Sequence, residues 1–204
     1  MKIKKIINSK IFLLVLGFLL TGVVGTFLNY QFQKETWKRE SQHEIAKRHL
    51  DQSRQVIEEV LLHISKRFYA MQKVLWELES ERFDGARLKW KNYAKIKDDW
   101  NINVGLYRSR IKILIDENLA YELLDKNNAR DYSDRESLHA LFVVTHYKIK
   151  DFFDYRGKNE QKRKQLEDAA LNSLIDLGHR IGNFSDKCYG IYMGKYDLFK
   201  NNFQ

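Results

Sequence analysis

The sequence predicts an all-α protein: a single N-terminal transmembrane helix followed by an antiparallel four-helix bundle with a long first helix. Three observations carry that prediction. The eighteen residues from Ile11 to Leu28 are drawn only from Ile, Phe, Leu, Val, Gly and Thr, and no charged side chain occurs between Ile11 and Gln33. Farther along, apolar residues recur at alternating steps of three and four, the rhythm of helix faces packed at shallow angles. The 204 residues include no proline, so no ring of that kind interrupts long helices.

At about 1.5 Å of rise per residue, the charge-free run crosses a hydrocarbon layer of about 30 Å while satisfying its own backbone. The chain therefore divides into a basic segment at residues 1–10, a membrane anchor over 11–32, and a bundle domain over 33–204 that includes a membrane-proximal stem and an aromatic tail. Ile11, Phe12, Leu13, Leu14, Val15, Leu16, Phe18, Leu19 and Leu20 form the body of the anchor. Tyr30 and Trp37 follow where amphipathic rings settle at the lipid headgroups. Lys2, Lys4, Lys5 and Lys10 precede the run, while Lys34, Lys38, Arg39, Lys47 and Arg48 follow it. The two flanks nearly balance, and the short basic start favours a cytoplasmic N-terminus with the bundle outside, in a bacterial-type inner membrane. A cleaved secretory signal, with Val23-Val24-Gly25 as a weak site, is the competing reading. Its usual apolar region of about 7–15 residues is shorter than this one.

The first bundle helix shows its seam at Ile57, Leu61, Ile64, Phe68, Met71, Leu75 and Leu78. Phe83-Asp84-Gly85 breaks the pattern, and Gly85 predicts a tight turn into a second helix over 86–125. That helix turns inward Tyr93, Ile96, Trp100, Val104, Tyr107, Ile111, Leu114 and either Leu119 or Asn118, with Gly105 permitting close approach of a neighbour. A polar connection around Asn127-Asn128 precedes a third helix over 134–155, capped by Ser133 or Asp134 with Glu136 completing a capping box. Leu138, Leu141, Phe142, Thr145, Ile149, Phe152 and Phe153 form its inner face. The last helix begins near Asn159 or Glu160 and repeats the rhythm through Leu166, Ala170, Leu174 or Ser173, Leu177, Ile181, Phe184, Cys188 and Ile191. Gly190 and Gly194 argue against an unbroken helix through the tail, where Tyr189, Tyr192, Tyr196, Phe199 and Phe203 can still fold over the bundle.

The formal charge of +9 is shared between anchor and domain. With four of the 36 basic residues ahead of the apolar run, the following chain holds 32 against 27 acidic ones, an excess of five. Arg82, Arg87, Lys89, Lys91, Lys95 and Lys97, interleaved with Trp90 and Tyr93, form an anionic-surface candidate. A solvated helix face explains the same residues, and nucleic acid is not the favoured partner. The single cysteine, Cys188, excludes an internal disulfide and leaves an intermolecular one open.

No phosphate loop, dinucleotide fingerprint, zinc cysteine set or nucleophile elbow occurs, so no cofactor is implied and a non-enzymatic role is favoured. Glu136 with His139, and Asp176 with His179, have a metal-ligand spacing on helices. Glu59, Asp99 and Glu117 are nominal partners, but the two histidines lie at different depths, and no metal site is assigned. Helical RNases of the HEPN superfamily place an arginine ahead of a histidine with four to six residues between. Arg135 stands too near His139 and Arg130 too far, while Asn172 with His179 is only a near-match.

The preferred functional expectation is a membrane-tethered protein that contacts other proteins at the bilayer, its partners being the lipid itself and another membrane-associated protein or further copies of the chain. The alternative is a ligand-binding or ligand-sensing bundle, with an internal pocket bordered by Tyr107, Asn118 or His146. A filled core separates the first reading from the second.

Overall fold

The computed structural model describes residues 10–125, 137–155 and 157–203. Five helices occupy them, α1 (Lys10–Glu79), α2 (Phe83–Leu114), α3 (Glu117–Leu123), α4 (Leu138–Asp154) and α5 (Glu160–Phe203), and no strand occurs among the described residues. The protein is an all-α bundle. Two compact units partition it, Met1–Arg48 and His49–Gln204.

In the first unit, α1 includes a stretch long and apolar enough, by length and composition, to cross a membrane. Its large apolar side chains from Leu13 to Leu28 are exposed, so no protein surface covers them. The polar atoms of this stretch are satisfied locally. Thr21 Oγ1 donates to the Gly17 carbonyl and Thr26 Oγ1 to the Gly22 carbonyl, each at 2.6 Å, which leaves neither hydroxyl needing water. Ile11 lies in the helix, but its side chain is outside the described set, as are Lys2, Lys4 and Lys5.

The second unit is a ring of four antiparallel helices. The part of α1 beyond His49 meets α2 through Ser53 and Leu114 at one end and Glu77 and Arg82 at the other. Trp100 with His139 and Trp90 with Phe153 join α2 to α4. Thr145 and Ser173 join α4 to α5, and Gly178 against Phe68 returns α5 to α1. Ile57, Ile64, Met71, Leu75 and Leu78 of the expected α1 seam are buried, while Leu61 and Phe68 pack at its edge. The inward sets of α2, α4 and α5 lie in the same core, including Tyr93, Trp100, Phe142, Ile149, Leu177, Phe184 and Cys188. Leu119 is buried and Asn118 exposed, which fixes the register of that segment.

Four boundaries differ from the sequence reading. Gly85 lies inside α2 with no left-handed backbone, and the chain reverses through Glu81 at φ 56°. What Gly85 provides is room, since a Cβ there would meet the Glu77 carboxylate that pairs with Arg82. The expected helix over 86–125 is broken at Ile115-Asp116, because Asp116 takes an extended conformation and accepts the Leu119 N–H at 2.8 Å, capping α3. Lys195 Nζ also donates to the carbonyls of Leu114 and Ile115 at 2.9 and 2.8 Å, satisfying acceptors that the end of α2 leaves open. The cap of α4 is Ser137, which accepts the Ala140 N–H, while Ser133, Asp134 and Glu136 lie outside the described residues. Finally, α5 continues through Gly190 and Gly194 to Phe203. Each glycine costs about 1 kcal/mol against alanine, and the packing of Ile191 and Tyr192 on the core together with the Lys195 bonds offsets it. Nothing approaches Gly105 within 4 Å, so it does not serve helix contact.

Removing core volume should separate the inner from the outer face of these helices. Ile64→Ala, at a position 0% exposed, is expected to cost about 2–5 kcal/mol in denaturant unfolding, and Ile113→Ala, 79% exposed, less than about 0.5 kcal/mol.

Candidate functional site

One core position of α1 is charged. Val60, Arg67 and Val74 follow one another at steps of seven, so helix geometry turns Arg67 to the inside with the two valines. It is 1% exposed. Its Nε and Nη1 have no hydrogen-bond partner, and no carboxylate pairs with it among the described residues. Aromatic faces surround it instead: the guanidinium carbon lies 4.5 Å from the centre of the Phe142 ring and 5.8 Å from that of Trp100. Burial lowers the pKa of Arg67 below the ordinary arginine value, and the neighbouring Tyr93 hydroxyl opposes that fall.

Arg67 forms the inner wall of a cavity of about 470 Å³. From α2 come Lys97, Asn101, Ile102, Val104 and Gly105, from α4 His139, Val143, His146 and Tyr147, and Leu124 closes the end beyond α3. That volume falls within the range of about 300–1,000 Å³ typical of small-molecule sites. None of the side chains lining it is acidic.

The two histidines are held by α2. Trp100 Nε1 donates to His139 Nδ1 at 3.0 Å. An indole N–H can only donate, so Nδ1 is bare and the proton of the neutral ring sits on Nε2. His146 Nδ1 lies 3.0 Å from the Tyr93 hydroxyl, and its ring stacks on Trp90 at 5.3 Å. Trp90 in turn stacks on Phe153 at 4.9 Å. Burial followed by the charge of Arg67 lowers His139 to about 4. Burial, then Lys97, Arg67 and Lys150, lower His146 to about 4. Both rings are therefore neutral donors and acceptors at pH 7.

No protein-family model, curated protein or solved structure matches this chain. The site rests on its own geometry.

The residues proposed from sequence as a pocket occupy different places. His146 lines the cavity, Tyr107 is packed behind it against His63 and Trp100, and Asn118 stands exposed on α3 away from it. The basic group also divides. Arg82 pairs with Glu77 at 2.9 Å and Arg87 with Asp84 at 3.8 Å. Lys91 and Lys95 are exposed, Lys89 is half-buried, and Lys97 reaches the cavity while lying 3.4 Å from Asp98. No three His, Cys, Asp or Glu side chains converge as metal ligands among the described residues, and Glu136 lies outside them. Cys188 is buried, and burial followed by Glu122 pushes its thiol up to about 12. Arg67, Asn101 and Tyr147 were not anticipated, although the valines seven residues on either side of Arg67 mark it as inward.

The pH dependence of stability follows from the two histidines. Unfolded, they take up protons near 6.5, and folded only near 4, so the unfolded state binds more protons between these values. Stability from this source is complete above about pH 6.5 and is lost as the pH falls towards 4. Denaturation midpoints of the full-length protein should fall across that window. His139→Gln, which keeps an acceptor for Trp100, should flatten the slope.

Proposed function

We propose that this chain is a single-pass membrane protein whose helical bundle binds a small ligand. The observation that carries this reading is the cavity walled by a buried guanidinium whose Nε and Nη1 have no hydrogen-bond partner. A bundle that served only to hold helices together would gain by filling such a space, since a buried polar group without partners costs about 1–3 kcal/mol and a charged one more. The role is binding without chemistry, because the polar groups lining the cavity include no nucleophile and base set against each other. The apolar stretch of α1 supports a place in the bilayer, and the basic residues before it support a cytoplasmic N-terminus with the bundle on the outer side of a bacterial-type inner membrane.

A second reading, contact with other proteins or copies of the chain at the membrane, is favoured by a separate observation. Leu62, Tyr69 and Trp76 stand seven residues apart on α1 and are 53%, 50% and 49% exposed. A row at that spacing is the pattern of a helix seam awaiting a partner.

The ligand reading is tested with full-length protein in detergent micelles, melted against small carboxylates, amines and uncharged compounds. At least one class should raise the melting temperature of the wild type and not of Gly105→Phe. That substitution fills the cavity from a backbone position with nothing within 4 Å of the new Cβ. If no class raises it, the bundle is not a ligand-binding protein.

Placement is tested by fractionation. The unprocessed chain should remain with membranes at alkaline pH, and a cysteine introduced at exposed Asn202 should react with an impermeant reagent from outside the cell. Recovery of the unprocessed chain in the soluble fraction would overturn the membrane assignment.

A further inference from the structure

We infer that the apolar face shared by α1 and α5 joins two copies of this chain, related by a two-fold axis along the bundle, so that α1 of each copy lies against α5 of the other. This rests on the second reading above, protein contact at the membrane, and names the partner and its geometry.

The face is built from both helices. Leu62, Tyr69 and Trp76 are exposed on α1, and Leu171 and Ile175 on α5, beside a groove of about 460 Å³ lined by Phe68, Leu75 and Leu174. The α1 side is ordered before any partner arrives. Tyr69 meets Trp76 edge to face with ring centres 6.3 Å apart, and Lys73 Nζ stands 4.2 Å from the centre of the Tyr69 ring. Side chains already held in place lose less freedom on association.

Charge selects the occupant. On α1, Lys66 and Lys73 alternate with the three apolar residues, and on α5 Asp176 follows Ile175. None of these three charged residues lines the groove, so they form a polar rim around it. Lys66 and Asp176 are exposed, and neither has an ion-pair partner among the described residues.

Contacts within one copy fix their heights. Glu81 bonds Arg163, Phe68 lies against Gly178, and Arg54 is near Tyr192, so α1 and α5 run antiparallel at a constant offset. Two residues before Gly178 is therefore level with two residues after Phe68, which puts Asp176 at the height of Ala70, between Lys66 and Lys73. A two-fold axis along the helices leaves every height unchanged and exchanges the two edges. It brings Asp176 of each copy between Lys66 and Lys73 of the other and sets Trp76 beside Leu171. By the same offset Asp186 comes level with Val60, next to the Arg54–Glu58 pair, whose charges cancel.

A different protein would have to reproduce both edges, whereas a second copy carries them already, as an isologous interface requires. This axis also keeps the first helices of the two copies running in the same direction, which suits two chains anchored in one bilayer.

The test weighs full-length protein in detergent micelles by sedimentation over a range of concentrations. The wild type should dimerise. Asp176→Lys should weaken the dimer at least about tenfold, because each substitution acts twice, and adding Lys66→Asp and Lys73→Asp to the same chain should restore it to within about threefold. Ile175→Lys should also weaken it at least about tenfold while the melting temperature of the monomer stays unchanged. A monomer at every concentration would overturn the inference, as would a dimer indifferent to both lysine substitutions or an Asp176→Lys defect that the exchanged charges leave unrepaired. A photoreactive side chain at Ile175 in intact membranes separates this failure from failure of the reading beneath it. Crosslinks between differently tagged copies support the dimer. Crosslinks confined to another protein overturn it and leave protein contact standing, whereas no crosslink at all defeats both.

Discussion

A guanidinium without a counter-ion governs the centre of this bundle. Removing a charge of that size from water costs several kcal/mol even after relaxation, unless partners replace the lost hydration. Around Arg67 the replacements are the faces of Phe142 and Trp100 and the oxygen of Tyr93. The arrangement then propagates. Trp100 must direct its indole N–H somewhere, and His139 accepts it, while Tyr93 meets His146, which is stacked on Trp90. Positive charge beside both imidazoles disfavours their protonation and adds to burial. Burial is the larger cause for both rings, and the charged core position on α1 adds to it.

The helical architecture was largely written in local pattern, and its failures have identifiable causes. Seam positions such as Ile57, Ile64, Met71 and Leu75 could be read because a helix with one buried face repeats its apolar residues at a fixed angle. The break at Ile115-Asp116 could not, because Lys195, eighty residues later, reaches the carbonyls that end α2. Gly85 attracted attention as the flexible residue of a turn, yet Glu81 takes the left-handed conformation while pairing with Arg163 of α5 at 2.5 Å. The glycines near the end of α5 suggested a break for the same local reason. Contacts made by their neighbours decide against it.

The site was less legible than the fold. His146 stood out as an imidazole on an otherwise apolar helix face, and it does line the cavity. Asn118 and Tyr107, expected beside it, do not line the cavity. One side chain faces outward and the other is consumed by packing against Trp100, distinctions that depend on the rotation of α3 and α2 against their neighbours. An arginine on a helix is ordinarily solvated, and nothing in the residue type marks Arg67 as inward. Its neighbours at seven-residue spacing, Val60 and Val74, contradict that expectation, but only once the inward face of α1 is known to be wide enough to include them.

Size alone does not distinguish the Arg67 cavity, because a second depression of about 460 Å³ lies between α1 and α5. The difference is in the walls. In the second depression Gly178 lets α5 approach until the Phe68 ring would lie 3.2 Å from a Cβ, and Trp76, Leu171 and Ile175 form apolar sides left partly in solvent. Every group there is content with van der Waals contact or water, so the surface gains from an apolar neighbour but requires none. At Arg67 the buried Nε and Nη1 have no hydrogen-bond partner. The second depression is a surface onto which something can pack, whereas the Arg67 cavity is walled by a buried charge two of whose nitrogens have no hydrogen-bond partner, and that difference singles out the Arg67 site.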